Sequence, residues 1–72
     1  MLQPGCQFEI IVNGRPVLSE AGTLAALLEE HELLGAKVAT ALNGHFVPAG
    51  RRATTHLNPG DRIEIVSARQ GG

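Results

Sequence analysis

The chain has 72 residues and a formal net charge of −1, with six Lys and Arg against seven Asp and Glu. That length makes one domain with a small core, because a chain of this size buries only about 60% of the surface its unfolded form exposes. A phosphate-binding surface needs clustered cations; Arg51-Arg52 is the single basic pair and has no stacking aromatics beside it, which argues against nucleic acid.

Cys6 stands alone, so no internal disulfide can form and a reducing compartment fits. Met1 to Gly5 have neither the basic start nor the apolar stretch of a secretory signal. No apolar run approaches the ~18 residues that a membrane helix needs. The expectation is a soluble, cytoplasmic protein, a single domain over residues 1–72 with an N-terminal extension at 1–6.

From Gln7 to Val12 the pattern has period two, with Phe8, Ile10 and Val12 on one face and Glu9 and Ile11 on the other, which predicts a half-buried strand. Asn13-Gly14 is a strong hairpin signal, since a type I′ turn requires positive φ at both central positions. The return strand runs from Arg15 to Leu18, and Pro16 places it at a sheet edge. Ser19 to Gly22 form a turn, and Thr23 is suited to cap a helix. Leu24, Leu27, Leu28 and Leu34 recur at helical spacing, with Glu29, Glu30 and Glu32 mostly on the other side. The spacing predicts an amphipathic helix of about three turns, closed by Gly35 in a left-handed cap.

A third strand, Val38 to Leu42, meets a second turn signal at Asn43-Gly44, and His45 to Val47 form a short strand closed by Pro48. Ala49 to His56 reads as a polar, irregular loop. Asn58-Pro59-Gly60-Asp61 is a tight turn, with Pro in the position after the first turn residue. The last strand, Arg62 to Ala68, alternates Ile63 and Ile65 against Glu64 and Val66. A right-handed crossover through the helix lays a later strand beside the first. The expected fold class is α+β: a mixed four- to five-stranded sheet with one main helix packed across it, the plan of the β-grasp, or ubiquitin-like, fold.

Chemistry inside the domain is sparse. His31, His45 and His56 lack metal-ligand spacing, and no cysteine pair helps them. Neighbouring carboxylates such as Glu29, Glu30 and Glu32 form a solvated helix face rather than a catalytic pair. There is no phosphate-cradling Gly-x-x-x-x-Gly-Lys loop and no nucleophile elbow. Cys6 has no visible base to activate it. The expectation is a protein that is not an enzyme, binds no metal and holds no cofactor.

The sequence then closes on Gly71-Gly72, a pair expected by chance in roughly 0.5% of chains. Residues 69–72 read as a flexible C-terminal tail that ends in a carboxylate. A free carboxylate is ionised at neutral pH and is a poor electrophile, so it reacts only after a partner enzyme joins it to a leaving group such as AMP. Glycine lets other backbone approach closely, which suits a narrow channel. Five extended residues, Ala68 to Gly72, reach ~17 Å. Ordering them costs on the order of 5–10 kcal/mol, so recognition must come from the folded body.

The segment Val38-Ala39-Thr40-Ala41-Leu42-Asn43-Gly44-His45-Phe46-Val47-Pro48 resembles the middle of the ThiS family of sulfur carriers in thiamine biosynthesis. Leu57-Asn58-Pro59-Gly60-Asp61-Arg62-Ile63-Glu64-Ile65-Val66-Ser67-Ala68-Arg69-Gln70-Gly71-Gly72 is similar to that family's Gly-Asp turn, last strand and Gly-Gly tail. Ile11-Val12-Asn13-Gly14 matches more loosely, and the likeness runs from Phe8 onward. It implies that a ThiF-type adenylyltransferase uses ATP to activate the Gly72 carboxylate. A sulfur-relay protein then converts it to a thiocarboxylate, and the sulfur passes to a ThiG-type thiazole synthase. On this reading Gly72 is the covalent attachment point. Gly71 lets the tail thread, Ala68, Arg69 and Gln70 lead into the partner, and an exposed apolar patch on the sheet docks it. The chain differs from the family pattern at Ala49 and Arg52, where many members carry a basic and an aromatic residue. That difference bears on docking around the loop.

The rival resemblance is to the small subunit of molybdopterin synthase, which shares the fold and the Gly-Gly end. Those proteins tend to be longer and to carry prolines before the glycines; Ala68-Arg69-Gln70 has none. Another ubiquitin-like sulfur carrier or a protein-conjugating modifier would use the same adenylation.

Overall fold

The computed structural model describes residues 7–33 and 37–67. Its elements are β1 (Phe8–Val12), β2 (Arg15–Ser19), α1 (Leu24–Glu30), β3 (Val38–Leu42), β4 (His45–Val47), a 3₁₀ helix (Ala49–Thr54) and β5 (Arg62–Ser67). The strands form one mixed sheet in the order β2-β1-β5-β3-β4. β5 is the strand that returns beside the first. It runs parallel to β1, with Ile11 opposite Arg62, and antiparallel to β3, with Thr40 opposite Ile65.

The period-two pattern of β1 becomes burial: Ile10 and Val12 are buried, Phe8 is half-buried and Glu9 is exposed. Asn13 and Gly14 both take positive φ, 52° and 82°, and Asn43 and Gly44 repeat this at 52° and 86°. A Cβ on Gly14 would touch nothing within 4 Å, so the backbone angle rather than crowding favours glycine there. Pro16 lies on the outer strand β2, opposite Ile11, where a missing N–H costs the sheet least.

Thr23 caps α1, its Oγ1 accepting from the Ala26 N–H at 3.2 Å. Leu24, Leu27 and Leu28 are fully buried, and Leu24 and Leu27 pack with Ile10, Val47, Leu57 and Ile63 between helix and sheet. The helix is shorter than its leucine spacing predicts, seven residues rather than three turns. It closes where the Leu33 N–H donates to Leu28 O at 2.7 Å and the Glu32 N–H donates to Glu29 O at 3.0 Å. This is the paired bonding of a Schellman motif, and Glu32 occupies its left-handed position with φ 60°. The expected cap, Gly35, and the last stripe residue, Leu34, lie outside the described residues.

Two further segments depart from expectation. Ser19 belongs to β2 and is buried; its Oγ accepts from the Ala21 N–H at 2.9 Å and donates to Glu30 Oε1 at 2.8 Å. The Glu20 N–H donates to Glu30 Oε2 at 3.1 Å, so Glu30 ties the β2–α1 connection to the helix end instead of only facing water. The stretch after Pro48 is a 3₁₀ helix over Ala49–Thr54, not an irregular loop. The Thr54 and Thr55 hydroxyls both donate to Arg51 O, at 3.2 and 2.7 Å. These local bonds satisfy a carbonyl that the polar composition alone did not commit to a helix.

The Asn58–Asp61 turn forms as read, with the Asp61 N–H donating to Asn58 O at 3.0 Å and Gly60 at φ 88°. Positive φ at the residue after proline is what a type II turn demands.

Candidate functional site

β5 lies between β1 and β3, and the chain leaves it toward the residues read as the functional tail. Those residues, Ala68, Arg69, Gln70, Gly71 and Gly72, lie outside the described residues, as does Cys6. What the structure defines is the platform from which they depart. On one side β3 accompanies β5 as far as the Val38–Ser67 pair. On the other the β1 ladder stops at the Val12–Ile63 pair.

Asn residues from the two hairpin turns brace β5. The Asn13 N–H donates to Ile63 O at 2.9 Å, and its side chain bonds Ile65 twice: Ile65 N–H to Oδ1 at 2.8 Å and Nδ2 to Ile65 O at 3.2 Å. Asn43 acts near the start of the strand. Its N–H donates to Arg62 O at 2.7 Å, its Oδ1 accepts from the Arg62 N–H at 2.9 Å, and its Nδ2 donates to Asp61 Oδ1 at 3.1 Å.

The sheet face opposite α1 carries the apolar surface. Register puts Ala41 between Glu64 and Phe46, and Ala39 opposite Val66. Phe46 is 69% exposed and Val66 60% exposed. The two small alanines of β3 form a shallow floor between these larger side chains, next to the end of β5. Leu18, 63% exposed on β2, sits at the other edge of the sheet. The alternation of β5 marks Val66 as outward, but β4 is three residues long, and only its pairing with β3 assigns Phe46 to the same face.

A half-open groove of about 400 Å³ lies where β1 and β5 diverge, lined by Ile11, Gly14, Pro16, Arg62, Ile63 and Glu64. Its ionisable groups are the Arg62 guanidinium and the Glu64 carboxylate. His31 is at the helix C-cap, His45 on β4 and His56 in an isolated bridge with Thr23; all three are exposed. Among the described residues no three His, Cys, Asp or Glu gather to hold a metal. No helix among them is long and apolar enough to cross a membrane.

Arg52, where the resemblance led to an expected aromatic, bonds to the sheet. Its guanidinium is half-buried and turned to the sheet, with Nε donating to Thr40 Oγ1 at 3.1 Å and Nη2 to Val38 O at 2.7 Å. It fastens the 3₁₀ helix to β3.

A five-stranded mixed sheet with the last strand beside the first, and one helix across a face, defines a β-grasp domain. The ThiS family model matches residues 5–72, so the chain belongs to the ThiS family. Among solved structures it is similar to the thiamine biosynthesis protein ThiS from Geobacter metallireducens, with a TM-score of 0.75 and 26% identity. That match covers 90% of this chain and 100% of the other. No curated protein matches the sequence at a significant level.

Proposed function

We propose that this protein is a sulfur carrier of thiamine biosynthesis, and that Gly72 is the residue that bears the sulfur. The observation that carries the reading is the family match, which runs through residue 72 and so includes the Gly71-Gly72 pair. The similarity to a thiamine biosynthesis protein adds the pathway.

The chemistry starts at a carboxylate. An adenylyltransferase of the ThiF type transfers AMP from ATP to the Gly72 carboxylate, releasing pyrophosphate and forming an acyl-adenylate. Sulfide-level sulfur delivered by a sulfur-relay protein attacks the acyl carbon and displaces AMP, forming the C–S bond of a thiocarboxylate as the C–O bond to AMP breaks. A ThiG-type thiazole synthase then takes the sulfur. This chain's own residues supply recognition: Phe46 and Val66 offer apolar contact over Ala39 and Ala41, beside the end of β5 that precedes the tail. Gly71, Gln70, Arg69 and Ala68 thread the partner's channel, where the absence of a Cβ at position 71 eases close passage.

Incubation with the adenylyltransferase, ATP and a sulfur donor is expected to raise the intact mass by one oxygen-to-sulfur exchange. Adding one residue after Gly72 is expected to abolish that gain while leaving the melting temperature unchanged. An unaltered mass, under conditions that load an established carrier, would overturn the reading. Copurification of a molybdopterin-forming partner in place of thiazole synthase would reassign the pathway.

A further inference from the structure

We propose that Asn13 is a positioning residue for the sulfur-bearing end of the chain: its side-chain amide extends the β1 ladder along β5 and holds the end of the strand that precedes the tail. The inference rests on the sulfur-carrier reading for its functional consequence and on geometry for its physical content.

In a parallel ladder, alternate residues of one strand bond to the neighbour on both sides of their own position. Ile11 obeys this, its N–H donating to Asp61 O at 2.9 Å, and Asn13 follows with its N–H to Ile63 O at 2.9 Å. The next bond of the series would come from the Ile65 N–H to the backbone carbonyl of Asn13. The hairpin prevents it, because φ 52° at Asn13 turns the main chain away into β2. The side chain replaces what the turn removes. Oδ1 accepts from the Ile65 N–H at 2.8 Å, and Nδ2 donates to Ile65 O at 3.2 Å.

The result is a rung made by a side chain, placed beyond the last backbone pair of β1 and β5, Val12 with Ile63. It engages Ile65, two residues before the end of β5 at Ser67. Asparagine therefore does two things at this position. It tolerates the left-handed angle of the turn, as glycine would, and it carries the two groups that hold β5. Asn43 provides a matched control, since it has the same φ in an equivalent turn but braces β5 at Arg62, the far end from the tail.

The test compares Asn13→Gly with Asn43→Gly, both of which keep a turn that glycine accepts. Amide exchange of Ile65 is expected to rise about fivefold or more in Asn13→Gly, with Ile11 as reference and little change in Asn43→Gly. In the adenylation assay, with the carrier as varied substrate, Asn13→Gly is expected to raise KM about fivefold at unchanged kcat. Asn43→Gly should leave KM within twofold. Asn13→Asp keeps the acceptor for Ile65 N–H and should recover part of both effects.

Equal KM values in the two glycine variants would overturn the proposal and leave Asn13 as a stabilising turn residue. Unchanged Ile65 exchange in Asn13→Gly would overturn it as well. Failure of the wild-type chain to be adenylated would refute the sulfur-carrier reading instead, and the exchange experiment would still decide whether Asn13 holds the end of β5.

Discussion

Replacing Arg52 tests whether the segment after Pro48 is held by its guanidinium. Arg52→Met keeps an apolar stem of similar reach and removes both donors, so the lost energy reports the hydrogen bonds more than the packing. Two bonds disappear, Nε to Thr40 Oγ1 at 3.1 Å and Nη2 to Val38 O at 2.7 Å. A hydrogen bond from a charged donor contributes about 1.5–3 kcal/mol. Arg52 is only half-buried, so water can replace part of each bond and the lower end applies. Thr40 keeps its own bond to Val47 O at 2.9 Å, so no buried hydroxyl is orphaned. The expected loss is about 2–3 kcal/mol, which for a domain of this size lowers Tm by roughly 10–20 °C.

Guanidinium unfolding followed by circular dichroism measures this directly, as a shift of the midpoint at constant slope. Arg52→Lys should recover about half, because an ammonium lacks the planar fork that reaches two acceptors together. A loss below about 0.5 kcal/mol in Arg52→Met would refute the anchoring role, since ordinary surface substitutions fall in that range. Full wild-type stability in Arg52→Lys would show that charge alone, without the fork, holds the segment.

Two other substitutions probe the helix end and the open face. Glu32→Gly should stabilise the domain by about 0.5–1 kcal/mol in the same denaturation assay, because φ 60° suits a residue without Cβ better than glutamate; a loss would mean that the Glu32 side chain contributes more than the backbone strain takes away. Phe46→Asp should change stability by less than about 0.5 kcal/mol, since the ring is 69% exposed. It should nevertheless weaken adenylation by about tenfold or more through KM, as truncation of a central aromatic contact does. A wild-type KM would remove this face from the docking surface.

Much of the architecture was legible because it is written in neighbouring residues. Alternation in Phe8 to Val12, Asn-Gly at both hairpins, Thr23 before the leucine stripe and Pro59-Gly60 in the turn each specify a conformation through steric and hydrogen-bonding rules that act over a few positions. The Gly71-Gly72 pair and the motif around Val38 to Pro48 pointed to function in the same local way. The helix ends before the Gly35 that its leucine spacing suggests, because two backbone bonds from Leu33 and Glu32 support a glutamate in the left-handed position. The 3₁₀ helix is not legible in the sequence because its polar residues have no periodic apolar signal, and its anchor, Arg52, bonds partners twelve and fourteen residues away.

Composition and pattern thus determined, without coordinates, that this chain forms strands, two tight hairpins and one amphipathic helix that needs a sheet to cover. Tertiary structure decided which strand stands in the middle, which residues share the open face and how β5 is braced. Phe46 and Val66 come to one surface only through the registers of β4 with β3 and of β3 with β5. Asn13 meets Ile65 across fifty-two positions of chain. Contacts of that kind depend on how whole elements stack to bury Ile10, Leu24, Leu27 and Ile63 together, and no rule confined to adjacent residues contains that information.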